Sequence, residues 1–213
     1  MNKLISLCHI VLDRQPQGYF DRATFLRTLL HYFQERLRKH NRIADLDDCI
    51  SLGRTVLTLC EPGHSTHDTC LHSVACDLYS KFHKGGASAD FEEAITFHRA
   101  ILDLYPSGHP DHAAHLNVLL TYLRDMFGKF GRVGDINEVI SLAQEALELR
   151  SVRDLDHLSP LCTLATFLSA RFHKGGGLAD LEQVIMLCRD ILELSHTASS
   201  LHELALSLSA LIN

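Results

Sequence analysis

No stretch of this sequence approaches the roughly eighteen consecutive apolar residues that a transmembrane helix needs. Basic residues are outnumbered, with 20 Lys and Arg against 26 Asp and Glu, for a net charge of −6. Without a basic patch or a long basic run, neither a nucleic-acid surface nor binding to an anionic membrane is expected. The seven cysteines (Cys8, Cys49, Cys60, Cys70, Cys76, Cys162 and Cys188) are odd in number and include no CxxC pair. Free thiols used as small apolar fillers fit a reducing compartment better than a disulfide framework, so a cytoplasmic location is expected. GxSxG, Walker-type and HExxH motifs are also missing, which removes the usual signatures of nucleophilic, nucleotide-dependent and zinc-dependent catalysis. The short apolar run Leu4–Leu12 is followed by Asp13 and Arg14 where a signal peptide would carry small residues, and so reads as a retained helix.

What is present is repetition. The segment from Phe82, FHKGGASADFEEAITF, returns at Phe172 as FHKGGGLADLEQVIML, with nine of sixteen positions identical. The full period is 45 residues: Ile5, Ile50, Ile95, Ile140 and Ile185 share one register position, and Leu26, Leu71, Leu116, Leu161 and Leu206 share another. Asp45, Asp90, Asp135 and Asp180 keep the same step, as do Phe82, Phe127 and Phe172. Self-similarity at such a period is the mark of stacked helical units. The apolar fraction of 46% and charged fraction of 22% are those of a folded chain.

Each unit reads as two helices. The first follows DLxxxIxLxRxxLxL, whose apolar spacing puts one stripe on a helix face. The aspartates of the 45-residue series are expected to be its N-caps, each with an acceptor three residues on, as in Asp90 and Glu93. This helix is expected to end near Leu59, Leu104, Leu149 and Leu194. The second helix is expected to start at Asp21, Thr66, Asp111 and Asp156 and to bury Leu71, Val74, Ala75, Leu78 and Phe82. Gly85-Gly86 and Gly175–Gly177 then terminate it. The alternation Leu30, Ala75, Leu120, Ala165, Ala210 marks a close approach of helices.

Fifteen histidines raise the question of a metal site, above all His109, His112 and His115. His112 shares its repeat position with Arg22, His67, His157 and His202. Equivalent positions in stacked helices lie about 10 Å apart, so these form a ladder and not a coordination sphere. No metal, cofactor or catalytic residue is expected. Lys84 and Lys174 precede their glycines, the wrong order for a phosphate loop.

The run Asp90–Pro106 resembles the second helix of a tetratricopeptide repeat, and Ala75, Leu78 and Tyr79 resemble its first. The whole chain is similar in pattern to the long tetratricopeptide-type arrays of fungal proteins, which often precede a caspase-like domain; no such domain lies in these 213 residues. It departs from the family in its period of 45 instead of about 34, in Val56 and Ile101 where a small Ala is usual (Ala146 conforms), and in lacking tryptophan. The resemblance implies an all-α, α-α superhelical solenoid of about five helix pairs, with units near 1–44, 45–89, 90–134, 135–179 and 180–213 in a single domain. It also implies a non-enzymatic protein-interaction module that takes a peptide or helix on a concave face lined by helix 66–84 and its equivalents. Two rows vary on that helix: Arg27, His72, Asn117, Cys162, and His31, Cys76, Thr121, Thr166. The candidate partner-binding residues are His72, Cys76, Asn117, Thr121, Cys162 and Thr166. The alternative is a ligand-sensing or self-associating regulatory arm of a larger signalling protein.

Overall fold

The computed structural model of the chain describes residues 43–59, 65–132, 134–149, 158–175 and 177–196, with four single positions at 28, 31, 32 and 35. The expected helix at Leu4–Leu12, the N-caps Asp21 and Asp156, Arg27, Gly176 and the segment after His196 lie outside the described residues. Within them every regular element is a helix: α1 (Ile43–Leu59), α2 (Ser65–His83), α3 (Ser88–Leu104), α4 (His112–Phe130), α5 (Ile136–Glu148), α6 (Leu158–His173) and α7 (Leu178–His196). The fold is an all-α helical repeat. The chain divides into two compact units, 1–104 with α1 to α3 and 105–213 with α4 to α7.

In the first unit α2 packs against both α1 and α3. Its buried side is the expected one: Leu71, Val74, Ala75, Leu78 and Phe82 are withdrawn from solvent. Phe82 stacks on Phe91 of α3 at 4.4 Å between centroids, and Tyr79 tilts against the same ring at 5.5 Å. Burying a side chain of this size is worth about 1.5–3 kcal/mol, so each of these contacts contributes to interhelical adhesion. In the second unit α6 packs against α4, α5 and α7. There Phe127 meets Phe167 at 5.1 Å, and Leu116, Leu120, Leu161 and Leu164 are buried in the core.

The expected glycine stops are present. Gly85 has φ +100°, its N–H donates to the Phe82 carbonyl, and the Gly86 N–H donates to the Lys81 carbonyl. That pair of bonds is the Schellman ending. Gly175 shares the φ of +100° and the bond to the carbonyl three residues back, that of Phe172. α1 and α3 end at Leu59 and Leu104 as expected, and Leu149 caps α5.

The helix starts differ from expectation. Asp45, Asp90 and Asp180 are not N-caps, because α1, α3 and α7 begin two residues earlier, at Ile43, Ser88 and Leu178. Asp90 instead reaches back, its carboxylate accepting from the Ala87 N–H at 3.0 Å, which is the reciprocal half of a capping box. Glu93, expected to reach back to the Asp90 N–H, pairs with Arg54 of α1. Only Asp135 caps as expected, accepting from the Asn137 N–H at 2.8 Å. Thr66 falls inside the first turn of α2, and Asp111 precedes α4 without a side-chain capping bond.

Asp90 and Asp180 each pair with a cation at the end of the preceding helix. Lys81, in the last turn of α2, places Nζ 3.0 Å from Asp90 and 3.0 Å from Asp47 near the start of α1. Ninety residues on, Arg171 closes on Asp180 at 2.9 and 2.6 Å and donates to Asn137 at 2.8 Å. A helix end bridging the starts of its two neighbours makes the three helices antiparallel. Met126 holds the intermediate position, offers no charge, and Asp135 turns to its own helix instead.

Candidate partner-binding face

The expected binding residues lie on the second-type helices: His72 and Cys76 on α2, Asn117 and Thr121 on α4, Cys162 and Thr166 on α6. The first two belong to the first unit and the other four to the second. Apart from Cys162 all six reach the surface at least in part. Cys162 is 1% exposed and serves as core in the second unit, so it offers no surface to a partner.

His72 and Cys76 stand one turn apart, with Sγ 3.7 Å from Nε2. His72 also lies against the fully buried ring of His98, 5.9 Å between centroids. Although His72 reaches solvent, the burial of part of its ring holds its pKa below the ordinary value. A neutral imidazole accepts one hydrogen bond and donates another, so this corner offers a polar, uncharged recognition point. On α4 the Thr121 hydroxyl donates to the Asn117 carbonyl at 2.9 Å, and on α6 Thr166 donates to the Cys162 carbonyl at 2.8 Å. Their hydroxyl protons are thus spent within the helix, and the methyl groups remain for apolar contact. The Asn117 side-chain oxygen is buried and has no hydrogen-bond partner among the described residues.

One residue of this helix face was not singled out by sequence. Asp77 is 8% exposed, in a register position held by Tyr32, Tyr122 and Phe167 in the sister helices. Its Oδ2 has no hydrogen-bond partner among the described residues, and burial pushes its pKa up to about 7. Lys81, one turn further on, is turned to Asp47 and Asp90. The available signal was the lone acid in an aromatic column.

The histidines of the α3–α4 turn have structural work. His112 Nδ1 lies 2.5 Å from the Tyr105 carbonyl and its Nε2 lies 3.1 Å from the Glu145 carboxylate of α5. Both partners are acceptors, so the two contacts are hydrogen bonds together only when both ring nitrogens carry protons. His109 and His115 flank the Tyr105 ring at 4.8 and 4.6 Å, and His109 Nδ1 accepts from the Asp111 N–H. Among the described residues no group of three His, Cys, Asp or Glu side chains has a geometry that could hold a metal ion. No described helix is long and apolar enough to cross a membrane.

This architecture is an all-α helical repeat, and its fold is tetratricopeptide-like. Residues 69–112, from α2 through α3 to the first residue of α4, match the family model of the tetratricopeptide repeat. The fold is similar to crystal structures of the nearly identical TPR-like repeats of a Podosopora anserina protein described as a kinesin light chain. One of these, carrying a Q17M substitution, has a TM-score of 0.58 and 13% identity over 90% of this chain and 89% of that one. A second has a TM-score of 0.53 and 14% identity over 89% and 86%. At this identity the likeness is one of fold. No curated protein sequence matches the chain. Repeats of this kind generally mediate protein–protein interaction, and the match covers the two helices that carry His72, Cys76 and their support.

Proposed function

We propose that the chain is a non-enzymatic interaction module of 45-residue repeats that takes a peptide or helix on the solvent-facing sides of its second-type helices, α2 in the first unit and α4 and α6 in the second. The observation that carries this reading is the contrast between the two sides of those helices. One side repeats Leu71, Leu116 and Leu161 in the core, while the other varies from His72 and Cys76 to Asn117 and Thr121 and then Thr166. A constant support beneath a changing surface lets several units contribute hydrogen bonds and apolar pockets to one extended ligand. His72 and Asn117 would supply polar contacts, and Cys76, Thr121 and Thr166 the apolar ones, with Cys162 underneath as filler. A cytoplasmic setting suits this reading, since Cys49, Cys70 and Cys162 are buried and form no disulfide among the described residues.

The test is affinity capture from host lysate with the triple variant His72→Glu, Asn117→Ala, Thr121→Glu beside the unaltered chain. Circular dichroism must show the same helix content for both. The expected result is selective loss of a captured protein with the variant. Identical captures by both forms would place binding on another face.

A further inference from the structure

The hairpins α2–α3 and α6–α7 set the same repeat positions against each other. In the first, Lys81 pairs with Asp90 across the turn. His72, nine residues before Lys81, lies against His98, eight residues after Asp90, with ring centroids 5.9 Å apart. The second hairpin closes with the corresponding pair, Arg171 and Asp180. Nine residues before Arg171 stands Cys162, and eight after Asp180 stands Cys188. At a rise of about 1.5 Å per residue, antiparallel helices joined at Arg171 and Asp180 bring these two cysteines to one level within about 2 Å. Their sides agree as well. Cys162 is buried in α6, and Cys188 follows Val184 by one turn at the edge of the α7 face where Val184, Leu187 and Ile191 are buried. α6 and α7 are packed on each other. The two thiols also sense one another: burial first, and then the charge of Cys162, hold the Cys188 pKa above its ordinary value.

We infer that Cys162 and Cys188 are a redox modification site, forming a reversible disulfide that latches α7 to α6 under oxidising conditions. Helix axes about 8–10 Å apart, with Cα atoms about 2.3 Å from each axis, bring facing positions within the span of about 4.4–6.8 Å that a disulfide bridges between Cα atoms. Neither cysteine forms a disulfide in this structure, which is the reduced, open form. The half-buried Cys188 is the sulfur that a peroxide reaches. Its thiolate attacks one peroxide oxygen, the O–O bond breaks, and Cys188 becomes a sulfenic acid as the first water leaves. The Cys162 sulfur then displaces the sulfenic oxygen, which departs with the Cys162 proton as a second water. Two thiols are oxidised to one disulfide and one peroxide is reduced to two waters; a dithiol reverses the change. The raised pKa keeps Cys188 mostly protonated at neutral pH, so closing is slow beside that of an activated thiol.

The test treats the full chain with hydrogen peroxide, blocks remaining thiols with N-ethylmaleimide in denaturant, and maps the peptides without reductant. The expected products are linked Cys162 and Cys188 peptides that dithiothreitol separates, with alkylation lost from both sites in equal measure. The melting temperature should shift upward on oxidation and return with dithiothreitol, because the link restricts the unfolded chain. In Cys162→Ala the shift should vanish, and Cys188 should stop at a sulfenic acid that dimedone traps. Cys188 carried to sulfinic acid while Cys162 remains fully alkylated overturns the inference. A Cys188 disulfide to a different cysteine or to a second chain does the same. The peptide map of the unaltered chain decides the question whether or not Cys162→Ala folds.

Discussion

Replacing Asp77 by asparagine should stabilise the protein, and the gain should grow with pH. The carboxyl is raised from 3.8 to about 7 by burial. Its folded-state pKa lies above the unfolded one, so between those values the folded chain holds a proton that the unfolded chain releases. Stability therefore falls as pH rises through that window and levels off above about 7. At 1.36 kcal/mol per pH unit, moving from about pH 5.5 to above about pH 7 costs roughly 2 kcal/mol from this group. Asparagine keeps the shape and removes the titration. Urea unfolding followed by circular dichroism at about pH 5.5 and about pH 8.5 should show the variant's advantage widening by roughly 2 kcal/mol, with equal m-values. Every other group is common to both proteins and cancels in the difference. An advantage that is the same at both pH values would mean that Asp77 is ionised and solvated in the folded state, and the burial argument would fail.

Two other substitutions test the packing. A Cβ at Gly53 would lie 2.2 Å from Val74 Cγ2 on a buried side chain, so Gly53→Ala should cost about 1–3 kcal/mol, and Val74→Ala in the same chain should recover part of it. No recovery in the double variant would show that the helices are not held apart by that contact. At Gly85 the φ of +100° leaves open space around a new Cβ but strains the backbone, so Gly85→Ala should destabilise by about 1 kcal/mol or more. Gly128, inside α4 and equally open, should instead gain about 0.5–1 kcal/mol as alanine; thermal unfolding of the pair gives opposite shifts if conformation alone decides.

Much of this protein was legible in the one-dimensional pattern, because the period of 45 residues makes each core position appear several times. Ile50, Ile95 and Ile140 identify a buried stripe by repetition alone, and the glycines after Phe82 and Phe172 mark helix ends through a backbone conformation that other residues adopt at a cost. The resemblance to tetratricopeptide repeats rests on the same local signals. Tertiary structure decided what depends on partners distant in sequence. Whether an aspartate caps its own helix is settled by residue 81, 126 or 171 at the end of the preceding one: Lys and Arg draw Asp90 and Asp180 away, and Met126 leaves Asp135 to its helix. The burial of Cys162 within a row expected to face a partner, and of the acid Asp77, follows from how neighbouring helices close over each position. Periodicity carries the fold because each helix face repeats; the chemistry of a single position waits on what the neighbouring helix brings to it.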